Sequence, residues 1–266
     1  LGHGVSFFKH FLYKDYLSCN YYDKIVIPPS KIIINVAKRY GWKDENIIKV
    51  GYPKWDLYNF NKEIIQKNGE EERKSIFLMF TWRDIKPGKK ISRYYLENIL
   101  KIIKSKKLIK NLFHYNIILY FTFHHEINWV RVHILRGKQI LKYIDPNQIS
   151  EVLSKAFLII SDFSSVIFEI IYRRKPIVIY VPDSKDTNIV NLYEQGYYDI
   201  INGLKNGSTY FENKFFDVDA AVDKIIYYIK NDFQLESNLI KFYDELELNV
   251  ENNTMKFVEY LKNLIN

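Results

Sequence analysis

Short apolar runs of strand length alternate along this chain with longer stretches whose apolar side chains return every three or four positions. The first pattern predicts buried strands, the second helices with one apolar face. Runs at 24–28 and 47–50 read as strands on either side of a helix at 30–40, opened by Ser30 and stopped by Gly41. Residues 59–74 are rich in Asn, Lys and Glu, and we read them as a linker or charged helix and as the domain boundary. Beyond them a strand at 76–80 leads through a turn holding Pro87 and Gly88 into one long helix at 92–112, then a strand at 116–123. An ambiguous stretch to 142 precedes a weak strand near Ile144, a helix at 148–155 and a strand at 157–160. A tight turn, a helix from Val166 and a strand at 177–181 follow. Residues 217–266 read as helical, with Val218, Ala221, Val222, Ile225 and Ile226 on one face.

Strands alternating with helices predict right-handed βαβ units and a parallel sheet covered on both faces. In open sheets of this kind ligands bind beyond the carboxyl ends of the strands. A length of 266 residues allows one large or two modest domains, and 47% hydrophobic against 26% charged residues is the composition of a globular chain.

Basic residues number 39 against 31 acidic ones, a formal charge of +8. Such an excess suits nucleic acid, anionic lipid or a phosphorylated substrate. The basic clusters at 86–90, 104–110 and 173–175 are short and scattered, and read mostly as solvated faces. No nucleic-acid-binding signature accompanies them, so nucleic acid is not an expected partner. The single cysteine, Cys19, allows no intrachain disulfide and fits a reducing compartment; a small buried hydrophobe is its plainest role. No apolar run approaches the length of a membrane span, and no signal peptide opens the chain. The first residue is Leu1 rather than Met, which gives the expectation of an excised or incomplete piece.

Chemistry-bearing residues gather at the predicted strand ends. In Ser161-Asp162-Phe163-Ser164-Ser165 an apolar strand gives way to hydroxyls and then to a helix. Orphan N–H donors and the positive end of the helix dipole make such a turn a phosphate site, although Asp162 or Ser164 acting only as a cap is the plainer alternative. Glu169 lies one helical turn beyond Ser165 and would reach a ribose hydroxyl when phosphates occupy the turn; a solvated helix position is its alternative. Thr81 and Arg83 share one face of a strand end. Arginine offers a permanently charged fork for phosphate oxygens, with an ion pair to Asp84 or Asp162 as the alternative.

His3, before Gly4, has the titration range of a base that takes a proton from an attacking hydroxyl, and equally that of an ordinary chain-end histidine. His124 and His125 end an apolar strand, where alternation puts only one of them on the cleft side. Glu126 alone lies near them at a ligand spacing, a poor metal set, so neither metal nor other cofactor is expected. A fifth cluster, Gly51-Tyr52-Pro53-Lys54-Trp55-Asp56, follows the second short strand.

Taken in order, His3-Gly4 with Lys9, Gly51-Tyr52-Pro53 with Asp56, Thr81-Trp82-Arg83-Asp84, His124, Ser161 to Ser165 with Phe168-Glu169, and Pro176 with Pro182-Asp183 resemble the CDP-glycerol glycerophosphotransferase family, the teichoic-acid and capsule polymerases and primases of bacteria. The resemblance covers roughly residues 1–200. Members typically carry His-Gly-Thr-Pro-Leu-Lys, Gly-x-Pro-Arg-x-Asp, Thr-Trp-Arg and Asp-Tyr-Ser-Ser followed by Phe-Asp. Here Val5-Ser6-Phe7-Phe8 replaces Thr-Pro-Leu-Lys, with Lys9 keeping a cation nearby. Lys54 stands for Arg, Phe163 for Tyr and Glu169 for Asp. Thr122 stands where the family usually has an Arg two residues before its second histidine, which leaves His124 and His125 as alternatives.

The resemblance implies a two-domain GT-B fold whose nucleotide sits on the C-terminal half. It divides the chain into a partial N-terminal acceptor-side Rossmann-like domain (1–66), a nearly complete nucleotide-binding Rossmann-like domain (67–245) and a C-terminal helix (246–266) that crosses back. It further implies that several strands before residue 1 are missing. The implied reaction moves glycerol phosphate from CDP-glycerol, or a related CDP-polyol, to a hydroxyl of a growing polymer or lipid-linked primer and releases CMP. His3 would be the general base, and His124 and Arg83 would stabilise charge on the phosphoryl group. Gly4, Lys9, Thr81, Asp162, Ser164 and Ser165 would bind substrate, and Glu169 would hold the ribose. The implied location is peripheral, on the cytoplasmic face of the membrane and in contact with anionic lipid. A donor such as CDP-ribitol or a nucleotide sugar, or a non-catalytic nucleotide- or polymer-binding remnant, are the alternative readings.

Overall fold

Two parallel sheets organise the chain in a computed structural model that describes residues 23–39, 41–56, 73–80, 93–122, 139–162, 164, 166–181, 214–248 and 251–265. The smaller sheet is one βαβ unit. Strand β1 (Ile25–Ile27) pairs with β2 (Ile47–Lys49) across helix α1 (Lys31–Arg39). Ser30 is buried and starts α1, accepting the Ile34 N–H at its carbonyl at 2.9 Å. Gly41, at φ 88°, ends α1 as the left-handed closing residue that glycine adopts without a Cβ penalty. The Trp42 N–H then reaches back to Ala37 O at 3.3 Å.

The larger sheet has six strands, all parallel: β3 (Ser75–Met79), β4 (Ile118–Thr122), β5 (Leu141–Tyr143), β6 (Leu158–Ser161), β7 (Ile177–Tyr180) and β8 (Lys214–Phe215). Their order across the sheet is β5-β4-β3-β6-β7-β8. This is the doubly wound arrangement, in which the chain runs outward from β3 to one edge, returns, and runs outward from β6 to the other. Every residue of β6 and β7 is buried, as a strand covered on both faces requires.

The expected long helix at 92–112 is two helices, α2 (Arg93–Lys104) and α3 (Lys106–His114). Ser105 makes the break: its hydroxyl oxygen accepts the Leu108 N–H at 3.3 Å, the bond of an N-cap. The apolar period runs on through the break, which is why periodicity alone joined the two. Strand β8, two residues long, carries no sequence signal of its own. Helix α4 (Ile149–Lys155) precedes β6, and α5 (Val166–Tyr172) joins β6 to β7. Helix α6 (Val218–Lys230), capped by Asp217 through the Ala220 N–H at 2.9 Å, packs on α2, α3 and β7 with Ala221, Val222, Ile225 and Ile226 buried. Helices α7 (Ser237–Leu246) and α8 (Asn253–Ile265) end the chain. The first packs against α1, and the second against the turn at Pro53–Trp55. The last two helices thus lie on the first βαβ unit, and one continuous apolar core runs through both sheets.

Candidate functional site

In the observed strand order β3 and β6 are neighbours whose following connections leave in opposite directions, the switch point beyond whose carboxyl ends open sheets of this kind bind ligands. A hydrogen bond ties the two ends together: the Ser161 hydroxyl donates to Met79 O at 2.6 Å. Ser161 and Asp162 are fully buried and Ser164 nearly so. The Val166 N–H donates to Ser164 Oγ at 3.4 Å and the Ile167 N–H to Ser164 O at 3.2 Å. Ser164 therefore does cap α5, as its plainer reading had it. A hydroxyl that accepts with its oxygen still has its own proton to donate, so capping and phosphate binding are compatible.

Helix α5 buries six of its seven residues; the other is Glu169. Its side chain is only 13% exposed and forms an ion pair with the ammonium of Lys54. Glu169 is therefore a largely covered, partnered carboxylate rather than a solvated helix position.

The turn that supplies Lys54 is itself a junction. Trp55, 1% exposed, stacks on Tyr172 of α5 with ring centroids 4.6 Å apart, and Tyr52 meets Trp55 edge-on at 4.9 Å. Asp56 faces the start of α8: Oδ1 accepts from Asn253 N at 3.0 Å and from Asn253 Nδ2 at 2.8 Å, and Oδ2 accepts from Thr254 N at 2.7 Å. Asn252, just before α8, has φ 56°, outside the extended region of an ordinary N-cap residue. Asp56 thus supplies from another part of the fold the carboxylate that the helix start lacks locally. Partial burial works against its charge, but the bonds from Thr254 and Asn253 prevail and hold its carboxyl below the usual range. Gly51 belongs to the same fit, because a Cβ there would lie 1.9 Å from Asn253 Oδ1.

Of the residues singled out from the sequence, Asp162, Ser164 and Glu169 are brought together on one turn and the helix it opens. His3, Gly4, Lys9, Thr81, Arg83, His124, His125 and Ser165 lie outside the described residues. Thr122, two positions before His124, is buried, and its hydroxyl donates to Ile144 O at 3.0 Å. The basic cluster at 173–175 is structural: Arg173 donates to the carbonyls of Leu153, Ser154 and Ala156 at the end of α4, Arg174 pairs with Asp244 at 2.6 Å, and Lys175 lies 4.5 Å from the centre of the Phe157 ring. Among the described residues no three His, Cys, Asp or Glu side chains cluster as a metal set, and no helix is long and apolar enough to cross a membrane.

A doubly wound sheet with a polar turn at its switch point, joined to a second parallel unit under the last helices, defines a GT-B-like fold. The chain belongs to the family described as CDP-Glycerol:Poly(glycerophosphate) glycerophosphotransferase, whose sequence model matches residues 8–258. The match opens after His3 and Gly4. The chain is 26% identical to the minor teichoic acid biosynthesis protein GgaB of Bacillus subtilis (strain 168) over 268 aligned positions, covering 92% of this chain and 26% of that protein. It is 28% identical to the teichoic acid glycerol-phosphate primase of the same organism over 176 positions, covering 65% and 42%. Among solved structures it is similar to the wall teichoic acid polymerase TagF, in an H444N variant soaked with CDPG, at a TM-score of 0.62 and 19% identity, over 96% of this chain and 59% of that one. The chain thus spans less than two thirds of each of these proteins.

Proposed function

We propose that this chain carries the nucleotide-binding half, and part of the acceptor-side half, of an enzyme that transfers glycerol phosphate from CDP-glycerol to a hydroxyl of a growing teichoic-acid-like or capsular polymer, or of a lipid-linked primer. The observation that carries the reading is the Ser161–Ser164 turn at the β3–β6 switch point of a chain in this family. The names of its relatives, from teichoic acid biosynthesis and glycerol-phosphate priming, point the same way. In this reading residues 1–66, 67–245 and 246–266 are the acceptor-side part, the nucleotide-binding domain and the returning helix.

The acceptor oxygen attacks the phosphorus next to glycerol. A P–O bond to the acceptor forms, the bond to the cytidylyl phosphate breaks, and CMP leaves with that oxygen. His3 takes the acceptor proton, with Gly4 beside it and Lys9 as a nearby cation. Arg83 and either His124 or His125 stabilise charge on the transferring phosphoryl group. Thr81, Ser164, Ser165 and the N–H groups after Asp162 hold the cytidylyl phosphates, and Glu169 the ribose. The formal charge of +8 fits peripheral contact with anionic lipid at the cytoplasmic face, where such acceptors are anchored.

Incubating the intact protein with CDP-glycerol, CDP-ribitol and a set of nucleotide sugars, each with acceptor, tests the reading. CMP released from CDP-glycerol is the expected result. Nucleoside diphosphate from a sugar donor would replace the reaction, and no release from any donor would remove the enzymatic reading.

A further inference from the structure

The Lys54–Glu169 ion pair joins two motifs that lie 115 residues apart in sequence, and neither the strand-end chemistry nor the helix start explains it. Lys54 sits on a turn fixed on both sides, by Trp55 against Tyr172 and by Asp56 against Asn253 and Thr254. Glu169 is the one residue of α5 that is not buried. Because the Lys54 side chain is 48% exposed, such a pair adds little to folding stability; exposed pairs typically contribute about 0–1 kcal/mol. What it does change is geometry. A glutamate side chain has several rotamers open to it, and an ammonium carried by a turn fixed on both sides favours the one that meets it. A carboxylate has about four acceptor sites, so one that is already partnered can still accept from a hydroxyl.

We infer that Lys54 is a positioning residue for the donor's ribose, holding the Glu169 carboxylate in place to accept from the ribose hydroxyls while touching no part of the nucleotide itself. The inference rests on the proposed nucleotide site and adds to it a contribution from the 51–56 turn. Donor affinity is then set partly by a segment outside the sheet that binds the donor. Arginine at position 54 would serve the same end, since it also presents a cation to the carboxylate.

The test is calorimetric titration of the chain with CDP and with 2′,3′-dideoxy-CDP, on the wild type, Lys54→Met and Lys54→Arg, with thermal melting of each sample. The wild type should prefer CDP over the dideoxy form. Lys54→Met should weaken CDP binding by about 3- to 10-fold, the usual scale of coupling between contacting groups, and leave 2′,3′-dideoxy-CDP, which lacks both hydroxyls, unchanged. Lys54→Arg should restore the preference. Equal weakening toward both ligands would overturn the inference by making Lys54 a phosphate contact or a general support of the fold. A wild type that prefers CDP, with a Lys54→Met that keeps that preference in full, would overturn it while leaving the nucleotide site standing. A wild type that binds both ligands equally removes the ribose role of Glu169 and the inference with it. No CDP binding at all overturns both readings.

Discussion

The turns at 161–164 and 51–56 both follow parallel strands and both carry polar residues, yet they are held by different means. The first is fixed from within its own sheet: Ser161 is bonded to the adjacent strand at Met79, and Ser164 caps the helix two residues on. The second is fixed almost wholly from outside, by Glu169 and Tyr172 of α5 and by Asn253 and Thr254 of α8. A preformed turn on a rigid sheet suits ligand binding, whereas a turn whose partners lie on two other elements works as a junction between them.

The largest effect should come from emptying the junction. Trp55→Ala removes a fully buried indole stacked on Tyr172 and should cost about 3–5 kcal/mol, read from the urea midpoint at unchanged m-value. A loss below about 1 kcal/mol would mean that the stack does not hold the two parts together.

Ser164→Ala with Ser165→Ala bears on the other turn. It should weaken CDP binding by about 1–3 kcal/mol in a folded protein, as lost hydrogen bonds to charged groups do. Unchanged affinity by calorimetry would reject the turn as the phosphate site.

Asp56→Ala strips the start of α8 of its acceptor and should cost about 0.5–2 kcal/mol, the range for a lost N-cap. The loss should be accompanied by weaker helical circular dichroism. The pH dependence has a definite sign. The folded-state pKa of Asp56 lies below its ordinary 3.8, so its contribution is full above that value and fades as pH falls through the folded value. Melting temperatures of wild type and Asp56→Asn should therefore converge on acidification below about pH 4. A gap constant from pH 7 to pH 3 would show that the charge of Asp56 contributes nothing.

The smallest change should follow Lys107→Ala, which breaks the pair with Asp223 between α3 and α6. Both side chains are more than half exposed, and the expected shift is under about 1 kcal/mol, diminishing with added salt.

The contrast between the turns also explains what the sequence disclosed. The strands other than β8, the switch-point turn and the helix start at Ser30 follow from local period and capping, rules that act within a few residues. Their reach ended at Ser105, where an uninterrupted apolar period hid a break that one hydroxyl makes. The motif at 51–56 was visible as a string of residue types, but its partners were not. Asp56 meets Asn253 at a separation of 197 residues, and no local pattern encodes that contact. Glu169 was open to a solvated reading for the same reason, since its cover comes from Lys54 on another element.

A crystal structure of this chain with CDP is the most direct test of the nucleotide site. The diphosphate should lie beyond the carboxyl ends of β3 and β6 beside Ser164, with the ribose hydroxyls on the Glu169 carboxylate and Lys54 still paired behind it. CDP seated elsewhere, on the small sheet or away from α5, would contradict the assignment of this switch point as the donor site.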